Sequence, residues 1–316
     1  MSLILAVDIG GTNSRFAAFQ VGPDGSLTMK AKVWIPSNSA DSFDHLLELL
    51  QESDFPYSPQ DFDVAAMALA GPIEGGVYCK PTNLKWAVDI KKGASVYGFK
   101  KASLINDFVA QAYACKTPAV VGCKVLQQGT VSPHGTIGVI GAGTGFGHCA
   151  LVPVPSVGFV PVPSEAGHIT FPFESLEELD FCAFVKERIG ISYCYGDEIL
   201  TGRGIKILHL YLTGEDIEPR EVSKSMASGG LTLEWYRKFI ARCCRNYALS
   251  ILATGGLYIS GGIVAKNPFI VEHPDFMTEF KKSSSMNELL SRIPVFLNDN
   301  QDSGLYGSAL LGALAM

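Results

Sequence analysis

The chain has 316 residues, a net charge of -6 and a pI near 5.5, and its length is comfortable for two lobes with separate cores. The negative charge argues against nucleic acid as a partner, because an acidic surface repels a phosphate backbone. The eight cysteines are scattered and none forms a C-x-x-C pair. This pattern predicts a reduced, cytoplasmic protein without a zinc site.

We expect no membrane partner. Residues 125–164 contain no Asp, Glu, Lys or Arg, but repeated glycines and prolines rule out a continuous spanning helix there. The segment is interpreted as buried strands and loops. The start of the chain has neither a basic region nor a cleavage site, so we expect no signal peptide.

The first elements in the chain are two apolar runs, residues 3–7 and 16–21, which predict strands joined by a glycine hairpin. Paired glycines leave backbone N–H groups open to an anion. Asp8 ends the first strand beside this turn, where a carboxylate can hold a hydrated magnesium ion. The pattern predicts a phosphate site of the nucleotide kind. Its expected members are Asp8, Gly10, Gly11, Thr12 and Asn13.

A second glycine hairpin follows in the later half of the chain. Residues 136–140 and 149–154 predict its strands and residues 141–147 its turn, where Gly143 and Thr144 are expected to bind phosphate. The repeat suggests two related lobes that each present a glycine turn to one nucleotide. The turn is neither a Walker loop nor a Rossmann fingerprint, because the residues that those motifs need are absent.

Strands and helices alternate along the rest of the chain, which favours an α/β fold. Gly261 and Gly262 follow a strand end, where glycine lets an adenine or ribose approach the backbone. We expect a small lobe of residues 1–105 plus 300–316 and a large lobe of residues 106–299. The remaining predicted strands are 64–70, 103–105 and 257–260, and the predicted helices are 42–51, 108–115, 231–253 and one from about residue 304 to the end of the chain.

Five motifs in this order resemble bacterial glucokinase of the proteobacterial type, and together they span nearly the whole chain. The repressor-related kinases carry a cysteine-rich zinc motif that is absent here. The motifs are Asp8-Ile9-Gly10-Gly11-Thr12-Asn13, Leu104-Ile105-Asn106-Asp107-Phe108, Gly141-Ala142-Gly143-Thr144-Gly145, Glu165-Ala166-Gly167-His168 and Ser260-Gly261-Gly262-Ile263.

The resemblance implies an α/β fold of two ribonuclease H-like lobes with an interlobe cleft, the actin-like ATPase and hexokinase superfold. It also implies ATP-dependent phosphorylation of glucose at its 6-hydroxyl to glucose 6-phosphate, the first step of glycolysis. ATP and magnesium are the implied cofactors, with Asp8 holding the metal through water. A homodimer is usual in the family.

The resemblance also assigns the residues that contact the sugar. Asp107 is the expected base, which orients the 6-hydroxyl, and Asn106 is expected to bind neighbouring hydroxyls. Glu165 and His168 are expected at the ring hydroxyls, and Asn83 lies in a matching loop of the small lobe. Residues 106 and 107 also suit a simple helix N-cap, and that reading does not exclude catalysis.

The chain departs from the family pattern at one sugar carboxylate. The family has a glutamate one residue before the pattern x-[VI]-L-[ST]-G, and Asp197 stands at that place with Glu198 next to it. Either acid is a candidate sugar ligand. Two exposed acids that begin a helix are the structural alternative.

Other functions stay open from the sequence. The substrate of the kinase can be another hexose, such as mannose or an amino sugar, and polyphosphate can replace ATP. A non-sugar, actin-like ATPase shares the glycine hairpins. A sugar-sensing regulator needs a DNA-binding element, and we expect no room for one before the first strand.

Overall fold

The computed structural model describes residues 2–316, and within them the chain forms thirteen strands and twelve α-helices. The strands are β1 (Ser2–Ile9), β2 (Asn13–Val21), β3 (Leu27–Pro36), β4 (Val64–Leu69), β5 (Tyr78–Cys79), β6 (Val88–Asp89), β7 (Ala102–Asn106), β8 (Lys124–Gln127), β9 (Ile137–Ala142), β10 (Phe146–Val154), β11 (Gly158–Ser164), β12 (Gly256–Ser260) and β13 (Val295–Leu297). The helices are α1 (Phe43–Glu52), α2 (Asp107–Ala114), α3 (Leu176–Ile189), α4 (Gly196–Leu200), α5 (Gly202–Thr213), α6 (Pro219–Met226), α7 (Leu231–Ser250), α8 (Gly262–Lys266), α9 (Phe269–Glu272), α10 (Pro274–Phe280), α11 (Asn287–Arg292) and α12 (Ser303–Leu314).

The chain divides into two compact units. The first unit runs to Val121 and takes up the chain again at Asn300–Met316, and the second is Gly122–Asp299. We predicted the change of lobe at residue 106, whereas residues 106–121 pack with the first unit. The reason is the close packing of α2 on α12, where the carbonyl of Ala110 lies against the bare Cα of Gly307.

The sheet of the first unit has the strand order β3-β2-β1-β4-β7. β1, β2 and β3 form an antiparallel meander, while β4 and β7 run parallel to β1. The carboxyl ends of the three parallel strands therefore meet at one edge of the sheet. Helix α12 covers one face of this sheet, where Leu305 and Ala309 pack against Ile4 and Phe19.

Helix α1 was predicted by the helical spacing of its apolar residues, which lie in the core on the other side of that sheet. Its N-cap is Ser42, whose side chain accepts a hydrogen bond from the backbone N–H of His45. The buried residues of the helix are Phe43, Leu46, Leu47 and Leu50.

The sheet of the second unit has the strand order β11-β10-β9-β12-β13-β8. Its first five strands repeat the pairing of the first unit, because β9, β10 and β11 form an antiparallel meander and β12 and β13 run parallel to β9. The predicted recurrence of the glycine hairpin is thus part of a recurrence of the whole sheet. Helix α7 lines the core below it, with Tyr236 and Phe239 fully buried.

The outer strand β11 lies at an edge of this sheet and contains Pro161 and Pro163. Its Val160 and Val162 are exposed, as is Val125 in β8 at the opposite edge. The expectation that residues 125–164 are buried is correct for β9 and most of β10 but wrong for the two edge strands, since an edge strand has a neighbour on one side only. Within residues 2–316, no helix combines the length and the apolar character that crossing a membrane requires.

Candidate active site

Ser37 stabilises the first glycine turn by two hydrogen bonds to its backbone carbonyls. The N–H of Gly10 donates to the carbonyl of Asn13 at 3.0 Å and closes the hairpin. Ser37 donates from its N–H to the carbonyl of Thr12 at 3.0 Å and from its Oγ to the carbonyl of Gly10 at 2.6 Å. Thr12 itself is exposed, so its hydroxyl is accessible to a ligand.

Asp8 ends β1 next to this turn and is only 7% exposed. Its Oδ2 accepts a hydrogen bond from Nη1 of Arg15 at 2.9 Å. Burial raises the pKa of Asp8, and the charge and hydrogen bond of Arg15 oppose that shift. The guanidinium of Arg15 also lies 4.6 Å from the centre of the Trp34 ring.

The role of Arg15 as the partner of Asp8 was missed in the sequence. A cue was present, because Asp8 and Arg15 lie directly opposite each other in the register of the predicted hairpin. Opposite charges at facing positions of an antiparallel pair attract each other.

The donor set beside the first turn suits a magnesium ion that is held mainly by phosphates. Magnesium keeps several waters and needs only one or two protein carboxylates. Asp8 supplies one carboxylate, and residues 2–316 contain no cluster of three or more His, Cys, Asp or Glu that would hold a metal without a nucleotide. The residues present therefore fit the predicted contact through water.

Asn106 and Asp107 lie where β7 passes into α2. Asn106 is the N-cap of the helix, since its Oδ1 accepts from the N–H of Phe108 at 2.9 Å, and its Nδ2 donates to the carbonyl of Gly71 at 3.3 Å. The capping interpretation is thus correct for Asn106. Asp107 is half-buried and is the first residue of α2, where the positive end of the helix dipole stabilises a carboxylate.

The carboxylate of Asp107 lies close enough to Cys79 to influence the pKa of that thiol. Burial raises the pKa of Cys79 to about 11, and the carboxylate of Asp107 contributes to the increase. Oδ1 of Asp107 also accepts from the N–H of Phe108 at 3.0 Å. The carboxylate is therefore oriented by the first turn of its own helix.

Asn83 packs beside the first glycine turn. A Cβ atom built on Gly11 would lie 2.8 Å from Cβ of Asn83, so only glycine fits at this position without a shift. The neighbouring Thr82 is fixed by its N–H, which donates to the carbonyl of Ala70 at 3.0 Å. The first unit thus brings Asn83 and the phosphate turn together.

The second glycine turn meets the predicted adenosine site within the second unit. The N–H of Gly143 donates to the carbonyl of Gly145 at 2.8 Å, and a Cβ on Gly143 would lie 3.8 Å from the backbone N of Gly262. Gly261 has a φ of +96°, and a Cβ there would clash with the carbonyl of Ala142. Since β9 and β12 are parallel neighbours, their carboxyl ends bring these glycines together.

Thr144, at the tip of the second turn, is exposed. Its hydroxyl is accessible to a ligand in the same way as that of Thr12 in the first unit.

Glu165 and His168 occupy a short loop after β11. Their side chains are 78% and 53% exposed, with 3.8 Å between Oε2 of Glu165 and Nε2 of His168. The hydroxyl of Tyr193 donates to the carbonyl of His168 at 3.0 Å, and the ring of Tyr195 lies 5.3 Å from the imidazole. The loop backbone is therefore fixed, while both side chains stay accessible.

Asp197 and Glu198, the neighbouring acids of α4, have different surroundings. Oδ1 of Asp197 accepts a hydrogen bond from the N–H of Phe146 at 2.5 Å. Glu198 is 7% exposed, which corrects the alternative of two exposed acids. Its Oε1 accepts from the hydroxyl of Tyr195 at 3.0 Å and pairs with Arg203.

Comparison with known proteins identifies the family of the chain. A family model described as Glucokinase matches residues 5–315. The glucokinase of Nostoc sp. is 27% identical over 348 aligned residues, with 99% of each chain covered. The crystal structure of glucokinase from an Antarctic psychrotroph has a TM-score of 0.80 at 25% identity and covers 99% of both chains.

A more distant relationship shows the fold alone. The ROK-family glucokinase from Streptomyces griseus, solved with glucose and AMPPNP, has a TM-score of 0.65 at 16% identity and covers 99% of this chain and 100% of that one. The fold is that of the hexokinases and actin-like ATPases, as predicted. Because the family model covers nearly every residue, the chain belongs to the glucokinase family.

Proposed function

We propose that this protein transfers the γ-phosphoryl group of ATP to the 6-hydroxyl of glucose and releases glucose 6-phosphate and ADP. The observation that carries the proposal is the family match over residues 5–315, in a chain whose Asp107 begins a helix at the carboxyl end of a sheet strand. A carboxylate at that place suits the role of aiming an alcohol at phosphorus.

In the proposed mechanism, Asp107 accepts a hydrogen bond from the 6-hydroxyl and directs its oxygen in line with the γ-phosphorus. The N-terminus of α2 stabilises the carboxylate and makes it a weaker base. This is compatible with phosphoryl transfer, because a loose transition state requires little proton removal early in the reaction. As the new O–P bond forms and the bond to ADP breaks, the hydroxyl proton passes to Asp107.

Asn106 is proposed to orient a neighbouring hydroxyl of the sugar. One hydrogen of its Nδ2 is used by the carbonyl of Gly71, which leaves the second for a ligand. The capping bond to Phe108 fixes the amide, so it meets the sugar in a set orientation.

The proposed nucleotide contacts come from both glycine turns. Backbone N–H groups of Gly10, Gly11 and Gly143 bind phosphate oxygens. The backbone at Gly261 and Gly262 receives the adenosine. The side chains of Thr12, Asn13 and Thr144 add hydrogen bonds to the phosphates.

Magnesium is part of the proposal, with Asp8 as its protein partner through water. When it is bound, the ion neutralises charge on the phosphates. The contact of Arg15 with Asp8 keeps that carboxylate oriented beside the turn.

The proposed sugar contacts of the second unit are Glu165 and His168, whose functional groups are accessible. A carboxylate accepts and an imidazole can donate, which suits a pair of adjacent hydroxyls. Of the two acids in α4, Asp197 is the better candidate, because it is only half-buried, whereas Glu198 is buried and its Oε1 is engaged by Tyr195 and Arg203. Asn83 is proposed as a contact from the first unit.

The test is a coupled assay for ADP with glucose, mannose and glucosamine as acceptors, and with ATP or polyphosphate as donor. We expect the highest kcat/KM for glucose with ATP. A higher kcat/KM for another hexose would identify that hexose as the preferred substrate. ATP consumption at the same rate without sugar would favour an actin-like ATPase. A cytoplasmic location and a homodimer stay predictions.

A further inference from the structure

Asp197 joins three segments of the second unit that are far apart in the sequence. Its Oδ1 accepts from the N–H of Phe146 at 2.5 Å, directly after the second glycine turn. The same oxygen lies 3.3 Å from the place that a Cβ would take on Gly145 and 3.3 Å from that on Gly167, in the loop of Glu165 and His168. One carboxylate oxygen therefore adjoins both the phosphate turn and the sugar loop.

The three segments are packed backbone against backbone at this point. A Cβ on Gly167 would clash with the carbonyl of Phe146. A Cβ on Gly196, the residue before Asp197, would lie 2.6 Å from the Phe146 ring and 3.1 Å from the carbonyl of Gly167. Contacts this close leave no room for one segment to shift without the others.

The bond from Phe146 matters for the shape of the turn. Phe146 is buried and is the first residue of β10, so its N–H fixes the end of the turn Gly143-Thr144-Gly145. A hydrogen bond to an ionised carboxylate is stronger than one to a neutral acceptor. Without it, a buried N–H would lose its partner, and the turn would lose its anchor at this end.

We propose that Asp197 is a positioning residue for ATP: it holds the second glycine turn in the conformation that binds phosphate, and it couples this turn to the sugar loop. The inference rests on the proposed function and extends it. Glucose bound at the loop of Glu165 and His168 would fix Gly167, and through Asp197 it would fix the turn. Glucose and nucleotide should therefore strengthen each other's binding by the same factor.

The test is calorimetry of AMPPNP with magnesium, with and without glucose, on the full chain. We expect D197A to weaken AMPPNP binding about 10-fold without any sugar, the effect of one lost hydrogen bond. D197N keeps an oxygen that accepts from Phe146, so its AMPPNP affinity without sugar should stay within about threefold of the wild type. The factor by which saturating glucose strengthens AMPPNP binding should fall towards one in D197A.

D197S is the second truncation, in case D197A does not fold. Its hydroxyl is favourable in the first helical turn but ends one bond short of the N–H of Phe146. The control is Asp180→Ala, an exposed acid of α3, which should bind AMPPNP like the wild type.

Wild-type affinity for AMPPNP in both truncated variants would overturn the proposal, and so would an equal loss in D197N and D197A. Because the decisive comparison contains no sugar, it is independent of whether glucose is the substrate. A wild-type protein that fails to phosphorylate glucose would instead contradict the proposed function.

Discussion

The carboxylate of Asp8 lies against the bare Cα of Gly304, at the start of α12. A Cβ built on Gly304 would lie 2.7 Å from Oδ2 of Asp8 and 3.0 Å from its Cγ. The absence of a side chain thus lets the N-terminus of α12 approach the acid that we assign to the metal. The helix dipole and Arg15 favour the ionised form of this acid, while burial, the largest effect, raises its pKa.

We predict that Gly304→Ala lowers kcat/KM for ATP by about 10- to 100-fold, because a displaced carboxylate no longer faces the phosphates correctly. Steady-state kinetics over a range of magnesium concentrations measure the effect. Gly202→Ala is the control, since a Cβ there meets its nearest neighbour, Pro219, at 3.8 Å and no strain arises. Equal kinetics in the two variants would contradict the role of this contact.

Asp107→Asn should lower kcat by about 10²- to 10⁴-fold, the range for removal of a positioned general base, while the affinity for glucose changes little. The coupled assay measures kcat, and calorimetry measures glucose binding. The matched control is Asp44→Asn, which neutralises an exposed acid in the first turn of α1. Near-normal turnover in the Asp107 variant would remove this residue from the mechanism.

A buried ion pair joins helices α3 and α7 of the second unit. Arg242, which is 2% exposed, donates from Nη1 to Oε2 of Glu178 at 2.7 Å and from Nη2 to Oε1 at 3.2 Å. Arg242→Met should lower the free energy of unfolding by about 3 to 5 kcal/mol, since it leaves a buried carboxylate without its partner.

The double variant Arg242→Met/Glu178→Gln tests this explanation by urea denaturation. A neutral amide needs no counter-charge and still accepts from the N–H of Glu174, which donates to Oε2 at 2.6 Å in the wild type. We expect the double variant to be more stable than Arg242→Met alone. If it is less stable, the unpaired charge is not the cause.

We expect His148 to make the stability of the fold depend on pH. Burial lowers its pKa to about 4, and its Nδ1 has no hydrogen-bond partner among residues 2–316. Between pH 6.5 and 4 the unfolded chain binds a proton at this residue that the folded chain does not, so stability falls as the pH falls. The loss reaches about 3 kcal/mol near pH 4.

We predict that the free energy of unfolding falls less from pH 6.5 to pH 4 in His148→Phe than in the wild type. The substitution suits the site, because the imidazole packs between the rings of Phe146 and Tyr247. Urea denaturation at several pH values measures it, with the exposed His134→Phe as control. If the free energy of unfolding falls equally from pH 6.5 to pH 4 in His148→Phe and in the wild type, this histidine is not the cause of the pH dependence.

The sequence predicted the parts of the site that depend on neighbouring residues. The paired glycines, the strand ends before them and the N-cap at Asn106 are local features, and the family motifs identified the fold and the enzyme class. Strand β3 was missed, although its apolar residues alternate along Leu27–Pro36 in the way of a half-buried strand.

Contacts between residues far apart in the sequence could not be predicted from local sequence patterns. The bond from Phe146 to Asp197 joins residues 51 positions apart, and Gly304 meets Asp8 from the opposite end of the chain. Such pairs depend on sheet order and helix packing, which periodicity does not specify. The burial of Glu198 was unexpected for the same reason, because it depends on how α4 packs against β10 and α7.

The two prolines in β11 have a consequence for how copies of this protein can associate. A proline has no amide hydrogen, so this border of the six-stranded sheet is a poor template for a further strand from another molecule. Despite the exposed valines of β11, we therefore expect this edge to resist the addition of strands from other copies, the step by which fibres grow.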